Sequence, residues 1–332
     1  MKPLLAVIIL NWNGRKMMER FLPSVVSHTV GDEVEVIVVD NGSTDDSVVW
    51  LKENYPTLRL IEFPENYGFA GGYDRAVRMV DARYTLLVNS DVETPEGWWQ
   101  PLLGFMESHP EAGAVQPKIL SYRYKDTFEH AGAAGGMLDR LGYPYCRGRI
   151  LSKVEKDCGQ YDAADAVEVA WASGAALLVR TSAFIQAGGL DERFFAHMEE
   201  IDLCWRMWLS GFKVFAMSQS KVYHLGGGAL PYGNPRKTYL NFRNNLLMLH
   251  KNMPRRRGSR KLLLRRLADT LAFGFFLLQG KWDDARAVLK AHKDFRRMRG
   301  EYRDFPEEDI FRRLPGTSKF LYLTFFKARG LD

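Results

Sequence analysis

Runs of apolar, β-branched residues alternate with longer mixed stretches along the first third of the chain. The apolar runs cover residues 4–10, 34–39, 58–63, 84–88 and 112–120. The stretches between them that are compatible with helices cover residues 17–27, 47–54, 72–80 and 96–108. Continuous apolar strands that alternate with helices are typical of a mostly parallel sheet covered on both faces. The pattern therefore predicts an α/β fold.

Beyond residue 120 the pattern changes. Residues 121–165 are rich in glycine and polar residues, which predicts a long irregular excursion. Strand-like and helical patterns then return, at residues 167–179, 199–210, 212–217 and 221–224. From Pro235 onward the pattern is helical, with basic residues throughout.

Charge divides the chain at about the same place. Residues 235–332 carry 24 Lys and Arg against 10 Asp and Glu, a balance of +14, which leaves −8 for residues 1–234. We predict a main domain of residues 1–234, with halves of about 1–120 and 121–234, and a basic helical extension of residues 235–332. Such an extension favours an anionic partner.

The most basic part of this extension is followed by apolar residues. Residues 255–266 are rich in arginine, and residues 271–278 are apolar and lead to Trp282. The apolar stretch is shorter than the roughly 20 residues that span a bilayer. We expect residues 255–282 to bind an anionic membrane surface, with a helix packed on the main domain as the alternative. No nucleic-acid-binding motif occurs, so no nucleic-acid partner is expected.

The three cysteines, Cys146, Cys158 and Cys204, follow neither a disulfide nor a zinc pattern. A reducing compartment therefore fits best. The chain enters a strand-like run at Leu4 without a basic lead or a cleavage site, so we expect no signal peptide. The expected location is the cytoplasm, with peripheral binding to the inner face of the cytoplasmic membrane. A homodimer is left open.

Polar residues follow the first four predicted strands where each one ends. They are Asn11 and Asn13, then Asp40 and Asn41, then Asn66, Gly68 and Gly71, then Asn89, Ser90 and Asp91. Ligands of such sheets bind beyond the carboxyl ends of the strands, so these residues are site candidates. Asp40 and Asn41 can read a nucleobase edge, and the glycines let a ligand approach the backbone. Asp91 can bind Mg²⁺ or Mn²⁺ at a diphosphate, although an isolated Asp here is more often a cap or turn residue.

Two further groups lie beyond residue 190. Glu199, Glu200 and Asp202 begin a predicted helix, where acids are favourable for structural reasons alone, and Asp202 can pair with Arg206. Glu200 is the preferred catalytic candidate, because a carboxylate can accept the proton of an attacking hydroxyl. His224 ends a strand before three glycines and can bind metal or phosphate, although a lone histidine is more often structural.

The order of these motifs resembles family 2 glycosyltransferases, in particular their rhamnosyltransferase-like branch. The matching motifs are Asn-Trp-Asn-Gly, Val-Asp-Asn-Gly-Ser-Thr-Asp, Asn-x-Gly-Phe-Ala-Gly-Gly, Asn-Ser-Asp, Ser-Gly-Ala and Glu-Glu-x-Asp-Leu-Cys, within residues 4–230. The resemblance implies a GT-A fold, with a Rossmann-like nucleotide-binding half, and inversion at the anomeric carbon. Two positions depart from the family pattern, because Asn89 and Glu200 stand where Asp is more usual.

The resemblance also implies a role for each matching residue. Asn11, Asn13, Asp40, Asn41, Asn66, Gly68, Gly71 and Ser90 would bind the nucleotide sugar, Asp91 and His224 a divalent metal, and Trp171, Ser173 and Gly174 the acceptor. Glu200 would be the base, with Glu199 and Asp202 as neighbouring catalytic candidates. The implied reaction moves rhamnose from dTDP-rhamnose to a glycan or lipid-linked glycan in bacterial polysaccharide synthesis. A UDP-hexose or UDP-galactofuranose donor, and a non-catalytic nucleotide-sugar-binding scaffold, are the alternatives.

Overall fold

The computed structural model describes residues 3–150, 153–226 and 234–318. The strands of this part, in chain order, are β1 (Leu5–Asn11), β2 (Val34–Asp40), β3 (Arg59–Glu62), β4 (Tyr84–Asn89), β5 (Val92–Glu93), β6 (Ala112–Ser121), β7 (Gly136–Leu138), β8 (Pro144–Cys146), β9 (Arg149–Ile150), β10 (Lys153–Val154), β11 (Val167–Glu168), β12 (Ala176–Arg180) and β13 (Lys213–His224). The α-helices are α1 (Arg15–His28), α2 (Ser47–Asn54), α3 (Gly68–Met79), α4 (Gln100–Ser108), α5 (Thr181–Gln186), α6 (Glu199–Leu209), α7 (Pro235–Lys251), α8 (Arg255–Leu278) and α9 (Trp282–Met298).

One large sheet organises the fold. Its strands lie in the order β11, β13, β6, β12, β4, β1, β2 and β3, and β5 pairs with the end of β13. The strands β3, β2, β1 and β4 are mutually parallel, whereas β12 runs antiparallel between β4 and β6. The prediction of a mostly parallel sheet flanked by helices, followed by a C-terminal helical region, is confirmed.

The first strand shows why the apolar runs form the centre of the sheet. Its residues Leu5 to Ile9 are almost entirely buried, because successive side chains of a strand point to opposite faces and both faces are covered. Ala6 and Ile8 pack with helices α3, α6 and α7 on one face. Leu5, Val7 and Ile9 pack with α1 and α4 on the other. A run without polar positions is therefore the expected sequence of a central strand.

The register of the sheet brings the predicted strand-end residues together. Asn11 at the end of β1 lies opposite Asp40 at the end of β2. On the other side of β1, Leu10 lies opposite Asn89 at the end of β4. The polar residues that follow three neighbouring strands therefore share one edge, as the sequence predicted.

The central segment differs from the expectation. Residues 121–165 were expected to be irregular, yet β7, β8, β9 and β10 form a second, antiparallel sheet within it. These strands are only two or three residues long, too short for alternation to distinguish them from loops. The strand-like run over residues 167–179 is divided into β11 and β12, and the two short strands expected over residues 212–224 form the single strand β13.

The helices after residue 234 share the core of the sheet domain. Leu246, Leu247, Met248 and Leu249 of α7 are fully buried and belong to the same apolar cluster as Ala6 and Ile8. Helix α7 packs in turn against α8 and α9. The last part of the predicted extension, residues 319–332, and two of the glycines after His224, Gly227 and Gly228, lie outside the described residues.

Candidate active site

The ends of β1 and β2 are joined by a buried hydrogen-bond network. The Asn11 amide donates to Asp40 Oδ1 at 2.9 Å and to Ser43 Oγ at 3.2 Å. Asp40 Oδ2 accepts from the Ser43 N–H at 2.9 Å. Asn13 adopts a φ of 48°, and its Oδ1 accepts from the Thr44 N–H at 2.7 Å. These side chains therefore fix the loop that follows β2, and their contact with a nucleotide stays a prediction.

A second network shapes the glycine-rich segment of residues 66–72, which leads into the first turn of α3. The buried Asn41 amide donates to Asn66 Oδ1 at 3.1 Å and to the Gly68 carbonyl at 3.0 Å, and its Oδ1 accepts from the Tyr67 N–H at 3.1 Å. Gly68 has a φ of 72°, a conformation that favours glycine. At Gly71 a Cβ would meet the Tyr67 Cβ at 3.0 Å, so a side chain there would crowd the loop. The loop is thus held rigidly against the sheet edge, as a donor-binding loop requires.

Asp91 and His224 meet where β5 pairs with the end of β13. His224 Nε2 lies 3.1 Å from Asp91 Oδ1 and 3.4 Å from the Asn89 amide nitrogen. On the opposite side of the ring, His224 Nδ1 lies 3.2 Å from Glu129 Oε2. Asp91, His224 and Glu129 therefore form a row of three ionisable side chains, and all three are buried. Ser90, the remaining member of the motif, is half-buried in the turn between Asn89 and Asp91.

The charges in this row support one another. Burial opposes the charged form of His224, but Asp91 and Glu129 outweigh burial and raise the pKa of the imidazole to about 10. The same contacts overcome burial at the two carboxyl groups, so the pKa of Asp91 is lowered and that of Glu129 falls to about 2. The row therefore consists of one imidazolium between two carboxylates near neutral pH.

The Asp91–His224 pair fits a divalent cation in its geometry and chemistry. Neighbouring ligands of a six-coordinate ion, each about 2.1 Å from it, lie about 3 Å apart, which matches the observed separation. A cation between them would replace the proton on Nε2, while Glu129 would hold the ring as carboxylates commonly do behind metal-bound histidines. Within the described ranges, no group of three or more His, Cys, Asp or Glu is placed to hold a metal alone. The remaining ligands would thus come from the donor diphosphate and water.

Helix α6 presents two carboxyl groups that each have one buried oxygen without a hydrogen-bond partner. Glu199 Oε2 and Glu200 Oε2 are buried, and neither has a partner in the described part of the protein. Burial, reinforced by the neighbouring Glu200, raises the pKa of Glu199 well above its usual value. Burial also raises the pKa of Glu200 to about 7. A carboxyl group that titrates near neutral pH is suited to accept a proton during catalysis.

Asp202 has a structural place in the same helix. Its side chain is fully buried, and both of its oxygens accept hydrogen bonds. Arg206 and Lys251 donate to Oδ2 at 2.8 and 3.0 Å, and Asn252 donates to Oδ1 at 2.8 Å. The structure therefore favours Glu200 over Asp202 as a proton acceptor.

In the predicted acceptor segment, too, some residues have structural contacts and one lies next to the candidate base. Trp171 is buried in the core, and its indole N–H donates to the Met137 carbonyl at 2.9 Å, so it offers no free polar group. Ser173 Oγ donates to the Ala131 carbonyl at 2.8 Å. A Cβ on Gly174 would lie 3.8 Å from the Glu200 Cβ. Gly174 is thus the member of this segment that lies next to the candidate base.

Gly174 also connects the base to the metal pair. The residue after it, Ala175, accepts a hydrogen bond from the Asn89 N–H at 3.0 Å through its carbonyl. Asn89 in turn contacts His224. The candidate base and the candidate metal pair therefore flank the same short segment, as a reaction between an acceptor hydroxyl and a diphosphate-linked sugar requires.

Two side chains near the site were not predicted. Glu129 lies in the central segment, where no periodic pattern marks it, and only the adjacent His130 gave a local hint of polar chemistry. His197 has a φ of 68° and a buried Nε2 with no hydrogen-bond partner among the described residues. Burial, together with the charge of Lys237, lowers the pKa of His197 to about 4, so this ring is neutral near pH 7.

Comparison with known proteins identifies the family of this chain. The profile of glycosyl transferase family 2 matches residues 6–161. An N-acetylglucosaminyl-diphospho-decaprenol L-rhamnosyltransferase of Mycobacterium tuberculosis is 30% identical over 242 residues, which cover 68% of this chain and 76% of the relative. The chain belongs to glycosyl transferase family 2. The resemblance seen in its motifs is therefore confirmed.

Solved structures show that this family 2 chain has the GT-A fold. A mannosyltransferase of Pyrobaculum calidifontis in complex with GDP-Man and Mn²⁺ aligns with a TM-score of 0.52 at 15% identity, covering 89% of this chain and 87% of the other. TarS of S. aureus in complex with UDP-GlcNAc aligns with a TM-score of 0.55 at 18% identity, covering 89% and 80%. Among the residues described here, no helix of this glycosyltransferase is both long and apolar enough to cross a membrane.

Proposed function

We propose that the protein is an inverting glycosyltransferase that moves rhamnose from dTDP-rhamnose to a lipid-linked glycan in bacterial polysaccharide synthesis. The observation that carries the reaction type is Glu200, a carboxyl group with a buried, unpartnered oxygen and a pKa of about 7. It lies next to Gly174, and the following residue, Ala175, accepts a hydrogen bond from Asn89, whose side chain contacts His224 of the Asp91–His224 pair. The rhamnosyltransferase of M. tuberculosis supports the choice of donor sugar and of a lipid-linked acceptor.

In the proposed reaction the acceptor hydroxyl lies against Glu200. Its proton passes to the Glu200 carboxylate as its oxygen forms a bond to the anomeric carbon. The bond from that carbon to the donor diphosphate breaks on the opposite side, and the nucleoside diphosphate leaves with the bonding electrons. A single displacement of this kind inverts the configuration. Glu200 is half-buried, and its Oε2 is buried without a hydrogen-bond partner, which favours uptake of the proton.

Asp91 and His224 would hold Mg²⁺ or Mn²⁺ in this proposal. When bound, such an ion neutralises charge that builds up on the leaving diphosphate. Glu129 keeps the His224 ring oriented toward Asp91. The side-chain hydrogen bonds of Asn11, Asp40 and Asn41 support the segments that would bind the nucleotide.

The base assignment predicts how the rate depends on pH. Glu200 must be ionised to accept a proton, and its pKa is raised to about 7, so kcat should fall as the pH drops through about 7. Glu200→Gln should lower kcat by about 10²–10⁴-fold while donor binding is retained. The assay measures dTDP release from dTDP-rhamnose between pH 5 and 9, in the presence of Mn²⁺ and an N-acetylglucosaminyl-diphospho-polyprenol acceptor, which is chosen from the name of the M. tuberculosis relative.

Glu199→Gln is the matched control, because Glu199 is the neighbouring buried carboxyl group. It should keep most of the activity and the same pH dependence. Near-normal turnover of Glu200→Gln would remove Glu200 as the base, and a large loss confined to Glu199→Gln would transfer the role to Glu199. Calorimetric titration with dTDP-rhamnose, a UDP-hexose and UDP-galactofuranose separates the donor alternatives. A chain that binds a donor and never turns it over would be the scaffold.

We also propose that α8 binds an anionic membrane surface. Its inner side is buried through Leu262, Ala268 and Asp269, yet Leu263, Leu267 and Leu271 on the outer side are 61–69% exposed. Exposed arginines cluster in its first three turns, including Arg256 and Arg260. Leucines at four-residue spacing below a cationic end suit the boundary between anionic headgroups and acyl chains. Such binding would bring the active site to a lipid-linked acceptor at the inner face of the cytoplasmic membrane.

A further inference from the structure

The segment that leads into the base-bearing helix has an unfavourable backbone. Phe195, His197 and Met198 have φ values of 63°, 68° and 72°, a region that residues with side chains rarely occupy. The Ala196 N–H donates to the Phe194 carbonyl at 2.8 Å, which closes a tight turn around Phe195 of the rare, strained kind. Such a conformation persists only when surrounding structure holds it.

Helix α7 supplies that support through two buried side chains. The amide nitrogen of the fully buried Asn244 donates to the carbonyls of Phe194, Ala196 and His197 at 2.9, 2.9 and 2.7 Å. Arg243 Nη2 donates to the carbonyls of Arg193 and Phe194 at 3.0 and 2.9 Å. Four of the five carbonyls from residue 193 to residue 197 are thus bound by adjacent residues of one helix.

The remaining carbonyl of this segment reaches the other side of the site. Phe195 accepts from the Ala70 N–H at 3.1 Å, and a Cβ on Gly68 would lie 2.6 Å from the Phe195 ring. Gly68 and Ala70 lie in the first turn of α3, within the glycine-rich segment of residues 66–72 that is the candidate donor loop. The strained turn therefore lies between the donor loop and Glu200, with Asn244 and Arg243 behind it.

The end of α7 holds both ends of the same segment. Lys251 Nζ lies 2.7 Å from Asp191 Oδ2 and 3.0 Å from Asp202 Oδ2. Asn252 adds a hydrogen bond to Asp202 at 2.8 Å. Because Asp191 precedes the strained turn and Asp202 follows Glu200, the distance between the ends of the segment is fixed as well.

We propose that Asn244 and Arg243 are positioning residues for glycosyl transfer, which hold the strained turn so that Glu200 faces the donor loop. They touch neither substrate nor the reacting atoms and act through the backbone of residues 193–198. The inference rests on the proposed function, because it takes Glu200 as the base. It assigns a role in the reaction to a helix that follows the sheet domain in sequence.

Asn244→Asp tests the proposal with little change in volume. The new carboxylate oxygen would face the three carbonyl oxygens that now accept from the amide, so the turn should open. Asn245→Asp is the matched control: Asn245 is the next residue of α7, is equally buried, and donates instead to the Gly142 carbonyl at 2.8 Å. Asn244→Ala, which removes the donor without adding charge, serves if Asn244→Asp does not fold.

Three quantities are measured on the full chain: kcat with dTDP-rhamnose and the same lipid-linked acceptor, the Kd for dTDP with Mn²⁺, and amide hydrogen exchange over residues 195–201. We expect Asn244→Asp to lower kcat by about tenfold or more, because a small misplacement of the reacting groups strongly lowers the rate. The Kd should change by less than about threefold, and exchange over residues 195–201 should accelerate. Asn245→Asp should keep kcat within about twofold, even where it lowers Tm as much.

Equal kcat losses in the two variants, or an unchanged kcat in Asn244→Asp, would overturn the positioning role. A parent chain that fails to turn over dTDP-rhamnose would count against the proposed function instead. In that case hydrogen exchange still decides the inference, because unchanged protection of residues 195–201 in Asn244→Asp shows that Asn244 does not hold the turn.

Discussion

Glu129 shows what a single residue adds to the site beyond the motifs of the sequence. It lies against His224 Nδ1 and places this ring between two carboxylates. The two residues are 95 positions apart, and Glu129 stands in a segment without helical or strand periodicity. A contact of this kind depends on how the central segment folds back onto β13, which no local pattern specifies.

Replacement of Glu129 by Gln should weaken metal binding. The neutral amide no longer supports the charge on His224 or the basicity of its metal-facing nitrogen, so we expect the affinity for Mn²⁺ to fall by about 10–100-fold. The affinity is measured by calorimetry in the presence of dTDP and from the Mn²⁺ dependence of donor turnover.

Glu155→Gln is the control for this experiment, because Glu155 is an exposed glutamate of the same central segment. It should leave the Mn²⁺ affinity unchanged. If Glu129→Gln binds Mn²⁺ as tightly as the parent chain, then either His224 is not a ligand or Glu129 does not orient it.

The polar strand-end residues could be located from the sequence but their partners could not. Asn11, Asp40, Asn41 and Asn89 lie at one sheet edge, as the position of each after an apolar run predicted. The structure adds that most hydrogen-bonding groups of the Asn11, Asp40 and Asn41 side chains bind one another or nearby loops. Which amide meets which carboxylate depends on the strand order, and strand order is not a local property of the sequence.

At the scale of elements, long patterns were reliable and short ones were not. The strands β1, β2, β4 and β6 follow predominantly apolar runs and form where they were predicted. The small sheet of β7 to β10 was missed, because its strands depend on pairing with each other rather than on their own alternation. The strained turn before α6 left no local signal either, since its support comes from α7.

Helix α8 has a prediction of its own. Replacing Leu263, Leu267 and Leu271 by Ser removes apolar area from its outer side and leaves its packed side intact. We expect binding to vesicles of phosphatidylglycerol and phosphatidylcholine to fall by about tenfold or more, because each leucine that enters a membrane contributes about 1–2 kcal/mol. Binding is measured by co-sedimentation at low and high salt.

The control carries Ser at Val30, Val49 and Met79, which are 55–73% exposed and lie on the sheet domain. This variant should bind vesicles as the parent chain does. Equal binding by both triple variants would show that α8 is not the membrane-binding surface, and the exposed leucines would then need another explanation.

At the scale of the whole molecule, the sheet domain and the helices that follow share one core. Leu246, Leu247, Met248 and Leu249 are fully buried, and each contributes about 1.5–3 kcal/mol by burial. Their sum is comparable with the roughly 5–15 kcal/mol by which a typical protein is stable. We therefore expect a chain of residues 1–234 to lack a cooperative thermal unfolding transition, as measured by calorimetry and circular dichroism.

A chain that ends after residue 318 is the control and should unfold cooperatively near the Tm of the parent chain. A sharp transition at an ordinary Tm for residues 1–234 would contradict the shared core. The net charge of the sequence changes sign near Pro235, but charge describes the surface of α7 and not its buried side. The apolar side of this helix is what joins it to the sheet.

The hydrogen bonds between α7 and residues 191–202 also limit where this chain can be joined to a relative in a chimeric protein. The match to the family profile ends at residue 161, which suggests a convenient crossover point for chimeras with new donor preferences. A crossover between residues 202 and 235 would instead place the turn and its supporting Asn244 in different parents. The carbonyls of one parent would then meet an unrelated helix. The segment that must come from one parent to keep the candidate base in place therefore extends to Asn252, well past the region that matches the family profile.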